Sequence, residues 1–290
     1  MLQYEGDVYR PPSEWRSLIV QATVGCSNNS CTFCGMYKED VFHVKDEAQL
    51  FRDLEEEAYH YSDYERIFVA DGDALCLPTD RLLRLFHKLK DLFKRAKRIG
   101  IYATARDVNR KSLEDLVQLR EAGLGMVYLG VETGSRDLLK EIKKNMSPED
   151  MVQAAKKLHE AGLAQSVTLI AGLAGRGRSI QYAAETAQLV SQMNPDYVSY
   201  LTLNLQEGSE LMARYRRGDF VPVGAEEALA EIYDFLNHYQ GQGPTVFRSN
   251  HASNYLALAG DLPQDIPYLK KAIENTIETG NYRAEFSRRL

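Results

Sequence analysis

The chain has 290 residues, 44% of them hydrophobic, enough to bury one sizeable core, so a single domain is the default. Lysine and arginine total 35 against 41 acids, a net charge of −6, which gives no electrostatic support for nonspecific binding to nucleic acid or anionic membranes. The first residues, Met1-Leu-Gln-Tyr-Glu-Gly-Asp7, lack the basic and apolar regions of a signal peptide, no apolar run reaches membrane-spanning length, and four cysteines in such a chain suggest a reducing cytoplasm.

Taken in chain order, short β-branched or aromatic runs alternate with longer amphipathic segments. Ser17 to Val24 reads as a strand and leads directly into Gly25-Cys-Ser-Asn-Asn-Ser-Cys-Thr-Phe-Cys-Gly35. Further strands are predicted over Arg66 to Ala70, Arg98 to Thr104, Met126 to Val131, Ser166 to Ala171 and Asp196 to Leu203. Between the strands Arg66 to Ala70 and Arg98 to Thr104, Asp80 to Ala96 repeats Leu82, Leu85, Phe86, Leu89 and Phe93 at helical spacing, with Asp80 as the predicted N-cap after Pro78. Leu119-Arg-Glu-Ala-Gly-Leu124 is echoed by Leu158-His-Glu-Ala-Gly-Leu163; in each, a glycine (Gly123, Gly162) stops a helix before a strand. Strands joined by helices in this way form an open doubly wound sheet or a partial barrel, and both place their chemistry at the C-terminal ends of the strands.

Cys26, Cys31 and Cys34 lie at the first of those ends. Three thiolates can hold three irons of a four-iron cubane and leave the fourth open to a small molecule. An odd cluster within nine residues suits a disulfide poorly, structural zinc would call for a second ligand pair, and a Cys-x2-Cys redox pair would leave Cys26 idle. The open iron-sulfur site is the favoured reading, with zinc or a redox pair as the alternatives. The remaining strand ends collect Asp71-Gly-Asp73, Thr104-Ala-Arg106, Glu132-Thr-Gly-Ser135 and Gly172-Leu-Ala-Gly175. Cys76, in an apolar setting, reads as a buried structural thiol. Farther on, Arg248, Asn250, His251 and Asn254 crowd one polar segment and form a candidate substrate wall, against a plain alternative of a turn at Ser249-Asn250 and a helix cap at Ser253 or Asn254.

The order and spacing of these motifs resemble the radical S-adenosylmethionine (radical SAM) superfamily. Cys31-Thr-Phe-Cys34 is similar to its Cys-x-aromatic-Cys pattern, and Asp71-Gly-Asp-Ala74 stands where its Gly-Gly-Glu-Pro turn ends the second strand. Leu129-Gly-Val-Glu-Thr-Gly-Ser135 resembles the fourth-strand segment of the subgroup containing oxygen-independent coproporphyrinogen oxidase and the methylthiotransferases. Val167-Thr-Leu-Ile-Ala-Gly-Leu-Ala-Gly175 resembles the fifth-strand segment. Two departures stand out: the first cysteine gap holds four residues where three are usual, and aspartates replace a glycine and the glutamate of the turn.

The resemblance implies an α/β fold, a partial (β/α)6 TIM-type barrel over residues 1–205 with an N-terminal arm, and a short α-rich C-terminal extension, 206–290, packed on it. It implies a [4Fe-4S] cluster on Cys26, Cys31 and Cys34, with S-adenosylmethionine at the open iron. Phe33 would lie by the adenine, and Asp71, Gly72 and Asp73 around the methionyl ammonium, with Asp73 favoured as its partner. Arg106 would meet the methionyl carboxylate, Glu132 the ribose hydroxyls, and Gly172 would let backbone approach the adenine. The implied activity is reductive cleavage to a 5'-deoxyadenosyl radical that abstracts hydrogen from a small-molecule substrate, fed by an electron donor such as flavodoxin or ferredoxin. No membrane partner is implied, and a nucleic acid ranks behind a small metabolite. The competing class is a non-catalytic, cluster-containing binding protein or haem chaperone of the same fold.

Overall fold

The computed structural model describes residues 2–288. Strands β1 (Leu18–Val20), β2 (Thr23–Val24) and β3 (His43–Val44) precede helix α1 (Glu47–His60). There follow β4 (Arg66–Val69), α2 (Thr79–Leu92), β5 (Arg98–Ala103), α3 (Ala105–Arg110), α4 (Leu113–Glu121) and β6 (Leu124–Glu132). Next come α5 (Arg136–Glu141), α6 (Pro148–Glu160), β7 (Ala164–Ala171), α7 (Ala183–Met193) and β8 (Tyr197–Thr202). The last elements are α8 (Glu210–Arg216), α9 (Ala225–His238), β9 (Thr245–Ser249), β10 (Leu258–Leu262) and α10 (Ile266–Thr279). The α/β class read from the sequence therefore holds. Among the described residues no helix is long and apolar enough to cross a membrane.

The chain forms two compact units, neither of them one continuous stretch. The first takes the residues up to Asn29, Met36–Leu129 and Lys156–Gln165; the second takes Ser30–Gly35, Gly130–Ala155 and the chain from Ser166 onward.

In the first unit β1, β4, β5 and β6 pair in parallel, with Val20 opposite Val69, Val69 opposite Ile101 and Ala103 opposite Leu129. Ile67, Phe68 and Val69 have no accessible surface, as expected of parallel strands covered on both faces. Phe68 meets Tyr102 and Tyr128 edge-on, at 4.9 and 5.5 Å between ring centroids. Helix α2 buries Leu82, Leu85, Phe86 and Leu89 as its periodicity predicts, but its N-cap is Pro78 and not Asp80. Asp80 sits inside the first turn and its carboxylate takes Arg84 at 2.8 Å, four residues on, a use of negative charge that a helix N-terminus also favours. Gly123 and Gly162 have φ of +115° and +70°, so both echoes end their helices in the left-handed region as expected.

In the second unit β7, β8 and β9 are parallel, and β10 runs antiparallel to β9 with Leu258 opposite Ser249 and Leu262 opposite Thr245. The helix expected after Asn254 is absent at that point; the chain instead turns back as β10, within the stretch expected to be α-rich. Phe235 of α9 packs on Tyr200 and Phe247 at 5.2 and 6.5 Å between centroids, tying helix and strands into one core.

Candidate functional site

Cys26 belongs to the first unit, where β1 and β2 deliver the chain to Gly25. Its φ of +79° is one that glycine adopts at little cost, and its carbonyl accepts the Gly72 N–H at 3.1 Å. A β-carbon on Gly72 would stand 2.8 Å from Cys26 Sγ and closer still to its Cβ. Only glycine lets the turn after β4 lie against the first cysteine.

The two aspartates beside Gly72 are both without accessible surface. Asp71 has φ of +73°; its Oδ2 accepts from Gln21 Nε2 at 2.9 Å, while Oδ1 is buried with no hydrogen-bond partner. Burial, the largest cause, pushes its carboxyl up to about 6. Asp73 accepts the Ser27 backbone N–H on Oδ1 at 2.9 Å and the Ser27 hydroxyl on Oδ2. Arg106 donates from Nη2 to Ser27 Oγ at 2.9 Å and lies 3.7 Å from Asp73 Oδ2. A capping box between Thr104 and Asp107 starts α3 and so places Arg106 in its first turn. Asp73, favoured in the sequence for the methionyl ammonium, is thus covered by the cysteine loop, and Arg106 joins that contact.

Cys31, Phe33 and Cys34 are half-buried members of the second unit. Between them Thr32 is pinned on both sides, donating its N–H to Ile142 O at 3.0 Å and accepting from Leu211 N–H at 2.8 Å. Gly35 donates its N–H to Gln206 Oε1 at 2.5 Å. A β-carbon on Gly35 would come to 2.8 Å of Gln206 Cβ.

At the end of β6, Glu132 has φ of +67° and its Oε1 lies 2.7 Å from Lys144 Nζ, with both residues buried. Side chains two apart on a strand share a face, and a β-carbon at Gly130 would come within 2.8 Å of Lys144 Nζ and nearer still to Glu132 Oε1. At Gly134 it would come to 2.6 Å of Thr186 Cα. The Gly-x-Glu-x-Gly spacing therefore has a packing cause at each glycine. Lys144 went unread in the sequence, because a lysine in the polar run after α5 carries no signal of burial.

Gly172 has φ of +87° and donates its N–H to Glu231 Oε2 at 2.8 Å. Glu231 also takes the Ser179 hydroxyl, and Tyr200 donates to its Oε1 at 3.3 Å. Burial dominates these bonds and pushes the Glu231 carboxyl up to about 8. Here a signal existed: Glu231 falls on the stripe of α9 that buries Ala228, Leu229, Ile232 and Phe235, where an acid has to find partners.

The polar segment Arg248 to Asn254 makes local contacts of its own. Asn254, 1% exposed, accepts from Thr202 Oγ1 and donates to Tyr200 O, both at 2.8 Å. Arg248 donates to Phe247 O at 2.7 Å and to Gly260 O at 3.3 Å. These bonds give both residues a structural use. His251 Nδ1 lies 3.0 Å from Ser253 Oγ, and burial lowers its pKa; Asn250 is exposed.

Among the described residues, no three Cys, His, Asp or Glu side chains gather around a single metal-ion position. A cubane's thiolates stand on separate irons, so the donor set is the relevant test. Three cysteines within nine residues, none in a disulfide, on a loop whose backbone is pinned at Gly25, Ser27, Thr32 and Gly35, suit an iron-sulfur cluster with one open iron.

A family model described as the radical SAM superfamily matches residues 20–190, more than half of the chain. The chain belongs to the radical SAM superfamily, the family its motifs resemble. S-adenosylmethionine and a [4Fe-4S] cluster are the cofactors that go with that membership. Over 124 residues it is 31% identical to the tRNA uridine(34) acetyltransferase of Methanocaldococcus infernus, a match covering 42% of this chain and 23% of that protein. It is 24% identical over 192 residues to the heme chaperone HemW of Buchnera aphidicola subsp. Acyrthosiphon pisum, covering 63% of this chain and 50% of that one. The chain thus spans half or less of the length of these two relatives. Coproporphyrinogen III oxidase (HemN) from Escherichia coli, a radical SAM enzyme, superposes with a TM-score of 0.57 at 20% identity over 76% of this chain and 51% of its own. That likeness shows the fold.

Proposed function

We propose that this chain is a radical SAM enzyme that holds a [4Fe-4S] cluster on Cys26, Cys31 and Cys34, cleaves S-adenosylmethionine reductively and takes hydrogen from a small-molecule substrate. The observation that carries the reading is the contact of Gly72 with Cys26, closed to any side chain, which seats a strand-end turn on the first cysteine of the loop. A bound cluster would supply the one electron that cleaves S-adenosylmethionine to methionine and a 5'-deoxyadenosyl radical.

The protein's share is positioning and exclusion of water. Gly72, the half-buried member of its turn, presents backbone to the methionyl end. Glu132, held by Lys144, presents a carboxylate of fixed direction to the ribose hydroxyls. Phe33 offers an aromatic face to the adenine, and Gly172, kept in place by Glu231, keeps the end of β7 free of a side chain. A net charge of −6 favours a small metabolite over tRNA as substrate. The electron donor is a reduced protein of the flavodoxin or ferredoxin class.

The test is anaerobic reconstitution with iron and sulfide, reduction, and measurement of 5'-deoxyadenosine released from S-adenosylmethionine. Release that Cys31→Ala abolishes supports the reading. Incubation with deuterated cell extract then finds the substrate as label appearing in 5'-deoxyadenosine. The likeness to HemW favours one second reading, a haem-carrying protein of the same fold. An intact cluster with haem uptake and no cleavage under a broad substrate screen would establish it in place of the first.

A further inference from the structure

We infer that Asp73 is a positioning residue that clamps the cysteine loop through Ser27, and that it does not bind the amino group of S-adenosylmethionine. The inference rests on the proposed cluster reading and deepens it. One carboxylate takes both hydrogen-bonding groups of the residue directly after Cys26: Oδ1 accepts the Ser27 N–H at 2.9 Å and Oδ2 its hydroxyl. Fixing that N–H fixes the peptide that joins Cys26 to the loop. Asp73 has no accessible surface, so an ammonium could reach it only by displacing neighbours, Ser27 and Arg106 among them. Its charge is already answered by Arg106, 3.7 Å away and bonded to the same serine hydroxyl, as a buried carboxylate requires.

The clamp bears on one departure from the family pattern. The acid in the turn is one methylene shorter than usual. A glutamate at 73 would extend the carboxylate by about 1.5 Å into Ser27, whose backbone is held close behind by the Gly72 N–H to Gly25 O bond at 3.1 Å. The shorter acid leaves room for the Ser27 N–H and hydroxyl that it accepts.

The experiment compares the wild-type full chain with Asp73→Asn, Asp73→Glu and Ser27→Ala. Iodoacetamide labelling of Cys26 in cluster-free protein, referenced to the same cysteine in the urea-unfolded chain by peptide mass spectrometry, reads the loop directly. Labelling should rise roughly tenfold in both Asp73 variants and several-fold in Ser27→Ala, since bonds to a charged acceptor are among the stronger ones. Asp73→Glu keeps the charge, so a rise there reports geometry and not thiol electrostatics; Ser27 is exposed, so its variant should fold even if the buried changes do not. After reconstitution, iron per chain should fall by half or more in the Asp73 variants, while S-adenosylmethionine affinity per remaining cluster stays within twofold. Wild-type labelling in all three variants would overturn the clamp. A tenfold loss of affinity at unchanged iron content would return Asp73 to the amino group. A wild-type chain that takes up no iron would sink the enzyme reading while the labelling still decided the clamp.

Discussion

Lys144 Nζ and Glu132 Oε1 lie 2.7 Å apart, with side chains only 10% and 7% exposed. A pair this covered gains little against an apolar pair of the same size, but removing one partner strands the other charge. Lys144→Met should therefore cost about 3 kcal/mol of stability by urea denaturation, and the double variant with Glu132→Leu less than the sum of the two single changes. A full additive loss would show that the two charges do not act as a pair.

Gly172 combines a left-handed backbone with a close neighbour, since a β-carbon there would stand 2.7 Å from Val223 Cγ2. Gly172→Ala should cost about 2 kcal/mol, part from φ and part from the clash. Val223→Ala in the same chain should recover the steric part only. The check is thermal unfolding of the single and double variants; no recovery would place the whole cost in the backbone.

The strand ends were legible because the β-branched runs and helix-stopping glycines report local conformation, and the polar residues following each run mark the same end of each strand. Asp71, Asp73, Glu132 and Gly172 all stand at such ends. What each side chain touches was not legible. The covering of Asp73 by Ser27 depends on a loop meeting a turn 46 residues away, and Lys144 meets Glu132 across α5. Strand β10 escaped because Leu258-Ala-Gly-Asp-Leu262 contains residues of weak strand preference that pairing with β9 overrides. Glu231 alone left a trace, an acid on an apolar helical stripe.

Cys76 should be dispensable for the cluster. It sits in the short turn Ala74–Cys76, and burial first, then the charges of Asp73 and Asp107, push its thiol up to about 12. At pH 8 its thiolate share is then roughly one part in ten thousand, too little for ready ligation or alkylation. Cys76→Ser should leave iron content after reconstitution unchanged, and iodoacetamide should label Cys76 far more slowly than unfolded protein. Loss of iron in that variant would make Cys76 a fourth participant.

Glu231 should give the protein a falling stability between mildly acidic and neutral pH. Its folded carboxyl is pushed up to about 8 from an ordinary 4.5 by burial, so over that window the native state holds a proton that the unfolded chain has released. Stability falls with pH wherever the folded state binds more protons; it is therefore highest below about 4.5, declines through the window and levels off above about 8. Glu231→Gln keeps an acceptor for the Gly172 N–H, which now reaches Oε2 at 2.8 Å, and removes the titrating group. The variant should lose this part of the decline, and near pH 8 it should match or exceed wild type in urea midpoint. The measurement is a series of urea unfolding curves from pH 4.5 to 8.5 on both proteins. Parallel pH profiles would show that Glu231 is ionised in the fold throughout, with Ser179, Tyr200 and Gly172 outweighing its burial.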